Sequence, residues 1–286
     1  MSEFDHAPHT YLLTRTDTEA QRLDRLYGAW QANIKYLLHP AITVHDHACI
    51  ADIGTGTASV IWLRDLSREV PSSCQPHGFD ISAAMFPDRQ ILPPNVTLFE
   101  QDMLQPFPEQ FLGHYDVVHV RLMIVALSSD HWAMGVQNLM TLLRPGGWLQ
   151  WEDCAGHEAT VHEPSSHEHR SKNARLYLDL FRKTAIDCGK KPKIAELMKI
   201  FQRSGLVTCQ EHIHPLLEPE AREDLNFAVL EGVQNTLIAA FDSGHRKWIE
   251  AKADIAGARR AAETDLQQYH CWFTYNVHVV IGMSPP

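Results

Sequence analysis

The sequence predicts an α/β domain: a parallel sheet covered by helices on both faces, with helical additions before the first strand and among the last ones. Two observations carry this. From residue 49 to residue 153, short apolar runs alternate with helix-patterned stretches, which is how a parallel sheet with helical crossovers reads. The first run, "CIADI", ends in a glycine-containing turn at 54–56, and open sheets of this kind bind ligands at such strand ends.

Taken in order, residues 1–10 carry no pattern. From Thr16, "TDTEAQRLDRLYGAWQANIKYLLHP" has helical spacing. Leu23, Leu26, Tyr27, Trp30, Ile34, Leu37 and Leu38 make one apolar stripe, Thr16 and Glu19 form a capping box, and Pro40 closes the helix. Strands are expected at 49–53, 77–81, 96–101, 115–122 and 147–153. Helices are expected at 59–68 and 131–147, the latter closed by Pro145 and two glycines, with a short one near 83–86. The second half reads as helices at 168–189 and 192–205, with Gly189 and Gly205 as C-caps, then a strand-like 206–216. A helix at 219–241 puts Leu230, Val233, Leu237 and Phe241 on one face, and 270–283 closes the chain as a strand. No Pro/Gly/Ser-rich linker divides the chain. The expected division is an N-terminal helical segment at 1–45 and a main domain at 46–286, with a helical insert at about 218–262 acting as a lid.

Composition narrows the function. The 286 residues are 44% hydrophobic and 21% charged, ordinary for a globular chain. A net charge of -10 argues against nucleic acid as a partner. The apolar run "LMIVAL" (122–127) is far too short to span a bilayer, so no membrane is expected. "MSEFDHAPHT" has neither the basic nor the apolar region of a secretion signal. Six scattered cysteines without a CxxC pair suit reduced thiols and a cytoplasmic setting. Among 18 histidines, His45 with His47 and His212 with His214 share faces of extended segments. Neither pair has further ligands at a suitable spacing, so no metal is expected.

The turn after the first strand reads Asp52-x-Gly54-x-Gly56-x-Ala58. Glycines there permit a tight turn and close approach of a ligand. A triphosphate loop is excluded because no Lys follows the glycines. A dinucleotide fingerprint is weakened by Ser59 at its third glycine position. Asp52 just before the glycines would repel a pyrophosphate but attract an ammonium or sulfonium. Asp80 ends the second strand, where an acid accepts hydrogen bonds from ribose hydroxyls. Asp102 follows the third strand as an acceptor for an adenine amine, with Met103 beside it to pack on the ring. A cationic end, a ribose and a base describe S-adenosyl-L-methionine.

The segments "IADIGTGTA", "GFDIS", "QDM", "YDVVHVRL" and "LLRPGGWLQWED" resemble the successive motifs of class I S-adenosylmethionine-dependent methyltransferases, over about residues 11–153. The segment "YLLTRTDTEAQRLDRLYGAWQANIKYLLHPAI" is similar to the fungal secondary-metabolite branch, which includes the gliotoxin-pathway N-methyltransferase. The resemblance implies a Rossmann-like, seven-stranded, mostly parallel sheet whose last strand is antiparallel. It implies a cofactor site, for S-adenosyl-L-methionine or S-adenosyl-L-homocysteine, of Gly54, Thr55 and Gly56 under the methionine part, Asp80, Ile81 and Ser82 at the ribose, and Asp102 and Met103 at the adenine. It further implies Val120 and Arg121 beside the sulfonium region, and Tyr11 and Arg15 folded over the cofactor. Ala58 stands where many relatives carry glycine.

Methyl transfer is an in-line displacement that mainly requires alignment and exclusion of water. A base is needed only where the nucleophile must lose a proton. His119, Glu152 and Asp153 are the candidates at strand ends, the two acids read as a pair facing the substrate mouth. Tyr27, Trp30 and Trp151 are candidate pocket walls. The expected activity is O- or N-methylation of a small natural product by a monomer or homodimer. Alternatives are a cyclase on the same scaffold that retains the cofactor for its charge, a regulatory methyltransferase-like protein, and a dehydrogenase.

Overall fold

The computed structural model describes residues 17–154, 156–164, 170–190 and 193–286. The first half contains α1 (Asp17–Ile34), β1 (Cys49–Ile53), α2 (Gly56–Glu69), β2 (Gln75–Asp80), β3 (Thr97–Glu100), β4 (Tyr115–Arg121), α3 (His131–Met140) and β5 (Leu143–Cys154). The second contains β6 (Thr160–His162), α4 (Lys172–Asp187), α5 (Ile194–Arg203), β7 (Val207–Pro215), α6 (Arg222–Asp242), α7 (Lys252–Gln268), β8 (Trp272–Thr274) and β9 (Asn276–Met283). Seven strands form one sheet in the order β3-β2-β1-β4-β5-β9-β7. Strands β1 to β5 pair in parallel, and β9 runs antiparallel between β5 and β7. The alternation of apolar runs with helices therefore produces the parallel sheet expected of it.

Side chains alternate across the sheet, and two cores result. On one face Ile50, Val117 and Val279 pack with Trp30 of α1 and Trp62 of α2, and this core continues into α4 and α6. On the other face Ile53, Val118, Val120 and Trp151 pack against α3 and α5. Strands covered on both sides bury nearly every residue, so even the polar positions of β4 and β5 lie inside the protein.

Several boundaries differ from the sequence reading. Helix α1 ends at Ile34 rather than near Pro40, because Lys35 turns to a left-handed φ of 67°. Helix α3 stops at Met140, and "LRPGG" begins β5 instead of closing the helix. The expected final strand breaks at Tyr275: β8 pairs with β6 in a separate two-stranded sheet, and β9 continues the main one. Gly189 and Gly205, at φ 72° and 100°, follow α4 and α5 as expected of C-caps. The capping-box reading includes Thr16, outside the described residues, while Glu19 is buried against Arg22 and Asn235. All six cysteines are unbridged. Among the described residues no helix is long and apolar enough to cross a membrane.

Candidate functional site

The loops that leave the carboxyl ends of β1, β2 and β3 lie side by side, because their strands are neighbours in the sheet. The first is held tightly: Gly54 N and Thr55 N both donate to the Phe79 carbonyl, at 2.8 and 2.9 Å. Gly54 has a φ of 72°, a region that side-chain-bearing residues enter at a cost. Gly56 opens α2, and its N–H donates to Asp80 Oδ2 at 2.9 Å, while Ser82 N donates to Asp80 Oδ1 at 3.1 Å. The Asp80 carboxylate thus sits at a helix N-terminus, where the helix dipole favours negative charge. Ile81 beside it is exposed. Asp102 is half-buried and accepts from Leu104 N at 2.9 Å. Met103 is buried near Gly135, and its carbonyl accepts from Asn138. Tyr11 and Arg15 lie outside the described residues.

Behind these loops is a buried polar cluster that no single motif announces. The register sets Asp52 beside His119 and Arg121 beside Glu152, all on the face covered by α1 and α2. His119 Nδ1 lies 2.7 Å from Asp52 Oδ1, its Nε2 lies 3.6 Å from Glu152 Oε1, and its ring stacks on Trp62 at 3.9 Å between centroids. Gln150 Nε2 donates to Glu152 Oε1 at 2.7 Å. Burial opposes the charged form of His119, but the hydrogen bond to Asp52 and the charge of Glu152 outweigh it and raise its pKa. The Arg121 guanidinium lies 4.8 Å from the centre of the Tyr27 ring, and Tyr27 OH donates to Asp65 at 2.6 Å. Both terminal nitrogens of Arg121, Asp52 Oδ2 and Glu152 Oε2 are buried without a hydrogen-bond partner. Unsatisfied polar atoms in a buried site are costly, so the cluster has the chemistry of a receptor for a ligand carrying both signs.

Glu152 and Asp153 are not a pair at a mouth. Consecutive strand residues point to opposite faces, and both are fully buried. Asp153 Oδ2 accepts from Met123 N at 2.8 Å and Trp151 Nε1 at 3.2 Å, and its Oδ1 accepts from Cys154 N at 2.9 Å. Burial pushes its pKa up to about 6. Its position pins the loop after β4, where Leu122 adopts a left-handed φ of 58° and Met123 lies against Gly54. Trp151 stacks on Trp132 inside the core, and the Val120 side chain enters that same core. Trp30 is likewise buried in the core, where its Nε1 donates to Tyr275 OH at 3.0 Å. Tyr27 packs under Arg121 and also lines an open cavity of about 690 Å³ with Gln31, Tyr36 and Asp65.

The cavity next to the strand tips is built from other residues. Leu122, Ile124 and Cys154 face Phe181 of α4, Val233 of α6 and Tyr275, around about 630 Å³ of empty space that is partly open to solvent. That size and apolar lining suit a small organic molecule. The sequence signal for it was the run 122–127, read only as too short for a membrane. Its facing walls come from helices far along the chain.

Residues 50–147 match the methyltransferase-domain family. Among proteins similar in sequence is the methyltransferase grgD of a Penicillium species, 39% identical over 165 residues, covering 55% of this chain and 56% of that one. Another is the N-methyltransferase tcpN of Claviceps purpurea, 38% identical over 116 residues, covering 40% of this chain and 41% of that one. The chain thus matches about half the length of these relatives, or less. A solved structure of phosphoethanolamine N-methyltransferase 2 from Haemonchus contortus, in complex with S-adenosyl-L-methionine, shares the fold at 15% identity, with a TM-score of 0.55 over 95% of this chain and 58% of that one. Residues 50–147 thus match a methyltransferase domain, within a fold shared with a solved methyltransferase. In sequence the chain is similar to fungal methyltransferases, grgD and tcpN among them.

Proposed function

We propose that the protein methylates an O or N atom of a small, largely apolar secondary metabolite with S-adenosyl-L-methionine. The observation that carries this reading is the set of buried polar atoms without a hydrogen-bond partner on Asp52, Arg121 and Glu152, at the tips of β1, β4 and β5. Arg121 would take the cofactor's carboxylate, and Asp52 with Glu152 would balance its ammonium and sulfonium. Asp80, already oriented by Gly56 N and Ser82 N, would accept from the ribose, and Asp102 and Met103 would flank the adenine. The bound cofactor supplies an electrophilic methyl group. The chain's own residues orient the acceptor in the apolar cavity beyond β4 and β5 and keep water out. No carboxylate lines that cavity among the described residues, and the Arg22 beside it is held by Glu19. The acceptor atom would therefore arrive as a neutral nitrogen lone pair or an already ionised oxygen, without help from a side-chain base.

Calorimetry with S-adenosylhomocysteine tests the reading. Binding by the purified protein, lost or strongly weakened in Asp80→Ala while the fold is kept, is expected. No heat with this ligand, or an Asp80→Ala variant that binds unchanged, would overturn it.

A further inference from the structure

The apolar cavity does not end at α4. A second cavity shares Ile124, Val125 and Phe181 with it and continues past Arg182 and Ala185 to Lys190, adding about 570 Å³ of partly open space. The two cavities adjoin at these three residues, and the second ends at an ammonium group; they are taken as one acceptor groove. Lys190 is only 8% exposed. Among the described residues its ammonium makes one hydrogen bond, to the Ala126 carbonyl at 3.3 Å.

The other charged groups around this end of the groove are accounted for. Arg182 Nε donates to the His157 carbonyl at 2.7 Å, and its remaining donors are taken by Asp179 and the Ala159 carbonyl. Glu158 faces His157, and Asp187 faces His245. Among the described residues no carboxylate pairs with Lys190, and burial lowers its pKa, as expected of an ammonium without a counter-ion. An ammonium carries three donors, and a lysine kept for packing alone would gain by reaching solvent. In an apolar groove an oxyanion would be held strongly by this group, because little water screens the pair.

We propose that Lys190 binds an oxyanion of the acceptor, a carboxylate or the enolate of an acidic enol, at the end of the molecule remote from the methylated atom. The acceptor is then an amphipathic acid whose apolar body fills the groove between β4 and α4. This rests on the methyltransferase reading, since it takes the groove to be the acceptor site. No covalent step is involved.

The test compares 4-phenylbutanoate with its neutral amide, titrated into the full chain with S-adenosylhomocysteine present. The acid should bind about tenfold more tightly than the amide, the value of one charge-assisted hydrogen bond. That preference should vanish in Lys190→Met and persist in Lys190→Arg. Equal binding of the two probes, no binding of the acid, or a preference that survives Lys190→Met would overturn the proposal. If Lys190→Met does not fold, the wild-type comparison alone decides. Heat from S-adenosylhomocysteine in the same samples reports separately on the cofactor site, so failure there counts against the methyltransferase reading and not against Lys190.

Discussion

Replacing Arg121 with methionine separates the two ends of the cofactor. The side chain is 6% exposed, and neither terminal nitrogen has a hydrogen-bond partner. Its one described contact of note is the Tyr27 ring at 4.8 Å. Methionine preserves most of the bulk and removes the charge. Truncating one side of a buried, hydrogen-bonded charge pair costs about 2–5 kcal/mol, which is roughly 30-fold to several thousandfold in affinity. The loss belongs only to ligands that carry the amino-acid end. Calorimetry should therefore show S-adenosylhomocysteine weakened by about 30-fold or more in Arg121→Met. Methylthioadenosine, which lacks carboxylate and amine, should bind wild type and variant alike. Parallel weakening of both ligands, or no effect on either, would refute the assignment of this guanidinium to the carboxylate.

Two further outcomes follow from the same geometry. Gly54→Ala places a Cβ at φ 72°, 2.1 Å from Met123 Cε; urea unfolding should register a loss of about 1–2 kcal/mol, the cost of the left-handed backbone, and an unchanged midpoint would contradict it. The folded-state pKa of His119 is raised, so its protonated form contributes stability below the unfolded value of about 6.5, and this is lost as pH rises through the folded value. Stability should decline in the wild type as pH rises from about 6.5 through the folded value. It should decline less in Asp52→Asn, and matching denaturation profiles for the two proteins would count against the pair.

The loops expected to form the cofactor side were legible because their determinants are local. A glycine turn, an acid at each of three strand ends and the alternation of strands with helices are all patterns within a few residues of one another. Asp80 illustrates this: its position after β2 and the start of α2 at Gly56 place carboxylate and helix N-terminus together. The acceptor side was not legible in the same way. Glu152 and Asp153 looked like a functional pair because neighbours in sequence suggest neighbours in space, but a strand sends them to opposite faces. Trp151 looked like a pocket wall because an aromatic at a strand end suits one, yet α3 supplies Trp132 to cover it.

The amino-acid sequence by itself determined the α/β class, the parallel run of the first strands and the acids at the tips of the first three, because strand period, helix period and turn chemistry are short-range properties. Only the tertiary structure decided where β9 inserts, which polar atoms are left without a partner beneath α1, and which residues wall the cavities beside α4. Those depend on which faces meet when β4, α4, α6 and β9 are packed together, and no spacing along the chain encodes a contact between side chains a hundred residues apart.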